Sequence, residues 1–512
     1  MSSALTFPEL QSSVRYANSR IAHTKLTFRR YVLLSKLKEK IRRLYKGNFM
    51  NNKLLNLRIL LSIGLAFTCR FADAHDGHAP IAVKPADVYK PSAIPDRVVL
   101  TWKSDPRTTQ SVTWRTSTEV QHGYAQITAA PDGPIDLKQV LQAEAKTQKL
   151  TTDINEAHFH SADFVDLKPD VKYAYRVGDG VNWSEWYHFN TAPAKQEPFS
   201  FIYFGDAQND IKSQWSRVIR EAYSDAPKAR FMLHAGDLIN RAEADAEWGE
   251  WFHAGSFLHA TLSCVAVPGN HEQAKAEDGT RRLSHHWRPQ FAFPEDGPAG
   301  LEETCYTFEY LNMRIIALNS NEKIEEQAKW LNSVLAMNKS PWVVCTFHHP
   351  VFSTAKDRDN AVLRQTWKPI LDTYRVDLVL QGHDHTYGRT GLETPSMLPE
   401  TVGNVSSGEN QVDRTTGTVY VVSVSGPKMY NLQPSSVMKR VAEDTQLYQI
   451  IHVDGDTLRY EAKTAAGNLY DAFTLRKQVG KINELIEGSD LMEPRVRPVI
   501  TTKEAIGSGV VK

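Results

Sequence analysis

Five apolar runs of strand length each lead into a residue that binds metals, and this recurrence constrains the chain more than any other feature. Residues 199–204 run into Asp206, 231–233 into Asp237, 264–267 into Asn270, 342–347 into His348, and 378–380 into His383. A strand presents its polar residues at its carboxyl end, where the backbone leaves the sheet and side chains from several strands can meet in one crevice. Carboxylates and an amide come first along the chain and imidazoles last. That donor mixture suits two neighbouring divalent or trivalent cations better than one structural zinc.

Helix-period stretches lie between the runs. Ile211, Trp215, Val218, Ile219 and Ala222 share one face, as do Ala328, Leu331 and Leu335, and again Trp367, Leu371 and Tyr374. Strands alternating with amphipathic helices predict an α/β layered domain over 198–475 whose sheet is flanked by helices; after a polar loop over 391–416, residues 418–424, 446–453 and 457–462 supply three strands that complete a second sheet, giving two packed β-sheets. Upstream the pattern changes. Residues 98–102, 111–116, 124–127, 158–164 and 172–177 are rich in aromatic and β-branched types and are separated by Pro, Gly and Asp turns. They predict an N-terminal antiparallel β-sandwich over 91–194, so the fold class is multidomain, with 75–90 a linker before it and 476–512 a loosely packed tail.

The ordered set Asp206, Gly236-Asp237, Gly269-Asn270-His271-Glu272, His348 and Gly382-His383-Asp384-His385 resembles the calcineurin-like metallophosphoesterase superfamily. Its wider context is similar to purple acid phosphatases, which place a fibronectin type III-like domain ahead of the catalytic one. Any single piece, such as Gly-Asn-His-Glu, would be weak evidence, whereas the joint order is specific.

The resemblance implies that Asp237 is shared by two metal ions (Fe, Zn or Mn), that Asp206 and His385 hold the first, and that Asn270, His348 and His383 hold the second. In the His348-His349-Pro350 run the proline offset points to His348 as ligand and leaves His349 beside the pocket. Two positions depart from the pattern. Asn240 stands where purple acid phosphatases have a tyrosine, and Gln208 where other members have a histidine, so either amide is a possible extra ligand and the expected enzyme is colourless.

The implied reaction is phosphoric ester hydrolysis, acid phosphatase-like, by in-line attack of a metal-bound hydroxide. Two cations can lower the pKa of a bound water from 15.7 towards about 7. His271 is expected to touch the phosphoryl group or to protonate the leaving alcohol. His285, His286 and Arg282 lie in a polar insertion that either roofs the site and contacts substrate or is a solvated loop. His234 and His259 are assigned to structure. A phosphodiesterase or nucleotidase of the same fold is the alternative, and a non-catalytic cell-surface binding protein a remote one.

Residues 50–74 read as a signal peptide: a basic start, ten apolar residues from Ile59 to Thr68, and the small-x-small site Ala72-Asp73-Ala74. The apolar run is shorter than the roughly 20 residues of a membrane span, so no transmembrane anchor is expected and the destination is secreted or periplasmic. Residues 1–49 then read as a non-native upstream extension. They hold 11 Lys+Arg against 2 acids, and 50–74 hold 3 against 1, so the overall +1 becomes −10 from residue 75 onward. An acidic surface argues against nucleic acid as a standing partner and leaves a small phosphorylated substrate. Of the four cysteines, Cys69 falls within the signal; Cys264, Cys305 and Cys345 are expected as buried small hydrophobes.

Overall fold

Inward apolar residues alternating with outward polar ones close the first part of the chain into a sandwich. The structure, a computed structural model, describes residues 82–392, 394, 417–433, 435–478 and 480–498. The segments read above as an upstream extension and a signal peptide, Cys69, most of the expected 391–416 loop and the end of the expected tail lie outside those residues. One sandwich sheet runs in the order Asp96–Thr101, Gln110–Thr116, Glu156–Phe164, Lys146–Thr151, and the other Leu141–Glu144, Tyr124–Ala129, Lys172–Gly178, Tyr187–Asn190, every pairing antiparallel. Val98, Leu100, Val112, Trp114, Ile127, Phe164 and Tyr175 fill the space between them. The segment expected as a linker includes a short helix, Pro85–Val88.

Downstream lie two seven-stranded sheets. The first orders Ser263–Ala266, Phe231–His234, Phe199–Phe204, Leu447–Asp454, Thr457–Thr464, Leu469–Arg476 and Glu484–Glu487, with the first three parallel. The second orders Tyr306–Tyr310, Met313–Ala317, Trp342–Thr346, Leu378–Gln381, Val419–Val422, Tyr387–Thr390 and Met438–Ala442, parallel from Met313–Ala317 through Val419–Val422. Their facing sides share one core, to which Phe201, Tyr203 and Ile451 contribute from one sheet and Ile315, Val344 and Leu380 from the other. Helices cover the outer faces. Ile211–Trp215 with Ser216–Asp225, and Asp245–Gly255, pack together through a Trp215–Trp251 stack at 6.2 Å. On the far side Leu331, Leu335, Trp367 and Leu371 pack against Ile316, Val343, Cys345 and Val379. Each such fully buried side chain contributes about 1.5–3 kcal/mol of transfer free energy.

The sequence expectation that three C-terminal strands complete the second sheet needs correction. Val419–Val422 joins that sheet, whereas Leu447–Asp454 and Thr457–Thr464 extend the first, where they are followed by Leu469–Arg476 and the edge strand Glu484–Glu487. The sandwich is also fused to the layered domain. Val99 and Trp102 belong to the latter's core, and Leu100 N–H donates to the His259 carbonyl at 2.9 Å. Cys264, Cys305 and Cys345 are free and buried. Among the described residues no helix is long and apolar enough to cross a membrane.

Candidate metal centre

The strand ends do converge. Asp206 follows Phe199–Phe204, Asp237 follows Phe231–His234, and Asn270 follows Ser263–Ala266, all at one edge of the first sheet. His348, His383 and His385 come off Trp342–Thr346 and Leu378–Gln381 of the second. Asp237, His383 and His385 all sit at positive φ, a backbone region that non-glycine residues seldom adopt and that concentrates at functional sites. Gly236, at φ +88°, allows the turn into Asp237; a Cβ there would lie 2.7 Å from the Gly269 nitrogen.

Two imidazoles are oriented by backbone carbonyls. His348 Nδ1 donates to the Ala235 carbonyl at 2.9 Å, and His385 Nδ1 donates to the Lys428 carbonyl at 2.8 Å. A carbonyl can only accept, so in each neutral ring the Nε2 lone pair points away from it, into the cage. His348 Nε2 lies 3.2 Å from Asp237 Oδ2, 3.2 Å from Asn270 Oδ1 and 3.1 Å from His383 Nδ1. His385 Nε2 lies 3.0 Å from Asp206 Oδ2. Asp237 Oδ2 is common to both groups, since the Gln208 amide spans it at 2.8 Å and His385 Nε2 at 2.9 Å.

Electron-pair donors facing one another at such distances require positive charge between them, and the donor set fits two cations sharing Asp237. Asp206 Oδ2 and Gln208 Oε1 are buried without a hydrogen-bond partner, as ligand atoms would be. Burial disfavours a charged His348, but the Asp237 and Asp206 carboxylates outweigh it and hold its pKa up to about 9; a bound cation would replace that proton. Asp237 is held below the usual carboxylate range: burial opposes this, and His348 and His271 outweigh it.

Glu272 ties two loops together beneath the cage. Its carboxylate accepts from the backbone N–H groups of Asp237, Leu238, Ile239 and Gly269 at 2.8, 2.8, 3.3 and 2.7 Å. His271 Nδ1 donates to the Asn240 carbonyl at 2.5 Å, leaving Nε2, 4.0 Å from Asp237 Oδ2, at the mouth of the site. Asn240 therefore takes part through its backbone. Gln208, by contrast, is inside the cage.

The candidate substrate contacts separate. His349, expected beside the pocket, forms with His348 and His383 a group whose ligand atoms all lie within 4.8 Å of one another; its ring is 4.3 Å from that of His383 and its Nδ1 2.8 Å from Ser320 Oγ, and burial pushes its pKa down to about 3, so it is neutral. Arg282 and His285 are exposed and gather on Glu243. His286, adjacent in sequence, is buried between Glu243 and Asp245 with its ring stacked on Trp248, so the structure does not bring it to the candidate cage. His234 and His259 are buried in an aromatic cluster around Trp251. Sequence reasoning assigned no role to Arg358, whose Nη1 donates to the His383 carbonyl at 2.8 Å, or to Tyr430, whose ring is 4.6 Å from that of His385. Neither lies in a motif; both reach the site through loops that meet only once the sheets have packed.

Comparison with known proteins agrees with this geometry. Residues 95–191 match the profile described as the purple acid phosphatase N-terminal domain, and residues 199–387 match that of the calcineurin-like phosphoesterases. Uncharacterized protein Rv2577 of Mycobacterium tuberculosis is 27% identical over 362 residues, covering 62% of this chain and 66% of the relative. Purple acid phosphatase 1 of Ipomoea batatas is 27% identical over 248 residues, 46% of this chain and 52% of the relative. The probable inactive purple acid phosphatase 1 of Arabidopsis thaliana is 21% identical over 360 residues, 62% of this chain and 58% of the relative. The chain thus spans about half to two thirds of the length of these relatives. Among solved structures, purple acid phosphatase PPD1 from yellow lupin (Lupinus luteus) seeds superposes with a TM-score of 0.61 at 17% identity, covering 75% of this chain and 74% of that one. PhoD superposes at 0.56 and 12% identity, covering 81% and 97%. Both show the shared fold.

Proposed function

Since this chain belongs to the calcineurin-like metallophosphoesterases, with the N-terminal domain of the purple acid phosphatases, we propose that it hydrolyses phosphate monoesters at a binuclear metal centre. The observation that carries this reading is the position of Asp237 Oδ2, flanked by the His348 Nε2 lone pair on one side and by Gln208, which also contacts His385 Nε2, on the other. Asp206, Asp237, His385 and Gln208 would hold one ion, and Asp237, Asn270, His348 and His383 the other. When bound, such a pair of ions supplies Lewis acidity towards phosphoryl oxygens and an acidified water.

The chain's own groups do the rest. The Ala235 and Lys428 carbonyls fix the imidazole tautomers, and Glu272 fixes the Asp237 and Gly269 loops. His271, with its Nδ1 proton committed to Asn240, presents Nε2 to the departing alcohol and can hand over a proton there. Neutral His349 packs against His383 and adds a polar wall without repelling the ions.

A substrate panel on metal-reconstituted protein tests the proposal. p-Nitrophenyl phosphate should be turned over faster than bis(p-nitrophenyl) phosphate, with two metal equivalents by elemental analysis and loss of activity in His383→Ala. Faster turnover of the bis ester would favour the phosphodiesterase alternative. Equal activity of His383→Ala and the parent would favour a non-catalytic binding role. We further propose export through a secretory pathway; a mature amino terminus at His75 is the expected result of sequencing the exported protein, and retention of residues 50–74 would contradict it.

A further inference from the structure

The residues near the carboxyl end, expected as part of a loosely packed tail, are tied down where they meet one wall of the metal cage. In Glu493-Pro494-Arg495-Val496-Arg497-Pro498 a proline stands on each side of the two arginines. Proline fixes its own φ and biases the residue before it towards extended backbone, so this segment has less freedom to lose on docking. Hydrogen bonds follow it along its length. Met492 N–H donates to the Leu469 carbonyl at 3.3 Å, Arg495 N–H to the Tyr470 hydroxyl at 3.0 Å, and Glu443 N–H to the Arg495 carbonyl at 2.7 Å. Arg440 also donates to the Met492 carbonyl.

One buried carboxylate joins the segment to the wall. Glu443 accepts from Arg497 N–H on Oε2 and from Leu432 N–H on Oε1, both at 2.6 Å. Each N–H holds the other's segment in place, because the departure of either would strand a buried oxygen without a partner. The Arg497 guanidinium spans the same junction from outside: its Nε donates to Asp444 Oδ2 at 2.7 Å and its Nη1 to Asn431 Oδ1.

The wall in turn ends on two residues of the cage. Ser425 and Gly426 N–H groups donate to the Asp206 carbonyl at 3.0 and 2.5 Å, and Tyr430 N–H donates to the His385 carbonyl at 3.2 Å. The Lys428 carbonyl accepts from His385 Nδ1 at 2.8 Å, and the Tyr430 ring lies 4.6 Å from that imidazole. Residues 425–432 therefore position Asp206 and His385. His348, by contrast, is oriented by the Ala235 carbonyl, which lies outside this wall.

We propose that residues 492–497 are a strap that sets the affinity of the metal site made by Asp206 and His385, with Arg497 and Glu443 as positioning residues. This rests on the binuclear reading above and adds a regulatory element to it: displacing the strap releases one ion in preference to the other. The path is short. Without the Glu443 and Asn431 contacts the 428–432 backbone loses its outer support, the Lys428 carbonyl no longer fixes the His385 tautomer, and the Nε2 lone pair is not held towards the cage.

Titration of metal-free protein with manganese(II) against a competing chelator tests this without recourse to activity. The parent should take up two equivalents. In Arg497→Ala, whose side chain is half-exposed and outside the core, one of the two affinities should weaken about tenfold while the other is unchanged. A chain ending at Asp490 should show the same selective loss. Turnover of p-nitrophenyl phosphate by either variant should fall at limiting manganese and return in excess manganese, a rescue that a folding defect would not show. Two unchanged affinities in both variants overturn the strap. Equal weakening of both ions together with a lower Tm of the metal-free protein also overturns it, since the segment would then serve the fold alone. A parent that takes up a single equivalent sinks the binuclear reading instead, and the strap stands or falls on whether Arg497→Ala weakens that one ion.

Discussion

A carboxylate that touches no ion governs this cage. Glu272 is fully buried, and burial together with the charge of Asp237 pushes its pKa up to about 8, against the pull of the N–H groups aimed at it. Glu272→Gln keeps the shape but turns one oxygen into an NH2 group facing backbone donors, which leaves N–H groups unpaired and loosens the Asp237 turn. Metal affinity should weaken about 10- to 100-fold, the range for groups that orient ligands, and a competitive chelator titration will measure it. No change would mean that the turns hold themselves. His271 should behave differently: its ring meets the cage only at its edge, so His271→Ala should lose about 10²–10⁴ in kcat with metal content retained. Parallel loss of metal would make it a structural residue. Asn240, where a tyrosinate would give colour, offers a backbone carbonyl to His271, so the ferric-loaded protein should show no charge-transfer band in the roughly 500 to 600 nm region.

At the scale of elements, the cage is made by turns at strand ends, and their tolerance is small. A Cβ on Gly269 would fall 2.1 Å from Asp237 Oδ1 and 2.5 Å from its nitrogen, so Gly269→Ala forces two neighbouring strand-end loops apart. The expected outcome is loss of metal together with destabilisation of about 2 kcal/mol, read from denaturant unfolding of the metal-free protein, where a value near zero would show that the loops can separate freely. These turns were legible because each follows a continuous apolar run, which is how a strand buried on both faces reads. The polar edge strands Leu141–Glu144, Lys146–Thr151 and Tyr187–Asn190 were not legible, since their mostly exposed residues carry little apolar alternation. Nor was the sheet joined by Leu447–Asp454, because strand pairing is a long-range choice that the strand's own pattern does not encode. His285 and His286 show the same limit within two residues: a loop has no period to say which ring turns inward. Arg358 and Tyr430 escaped for a similar reason, since loops 72 residues apart in sequence bring them together.

The whole molecule depends on a charge network where the sandwich meets the layered domain. Arg97 and Arg115 of the sandwich reach Asp245 at 2.6 and 3.4 Å, and His286 Nε2 lies 3.5 Å from the same carboxylate, with Glu243 at 3.6 Å from its Nδ1. Asp245 and His286 are buried, so each charge persists only through the others. Burial disfavours charge on His286, yet the neighbouring Asp245 and Glu243 carboxylates outweigh it and raise its pKa above 6.5, while Arg97 acts in the opposite sense. A raised histidine contributes stability that is full below its unfolded pKa and fades as pH climbs through the folded value. Asp245, held low despite burial by His286 and Arg97, contributes above about 3.8 and loses its share in acid. Their joint contribution is therefore greatest between about pH 4 and 6.5. Replacing His286 with Gln removes the titrating partner and leaves the metal ligands untouched. Thermal melts of parent and variant should differ most within that window and approach each other as pH rises through the folded pKa of His286, with Arg97 and Arg115 still holding Asp245 in both. A Tm difference that stays constant from pH 5 to 9 would mean that His286 is neutral throughout and that the sandwich is held by the arginines and apolar contacts alone.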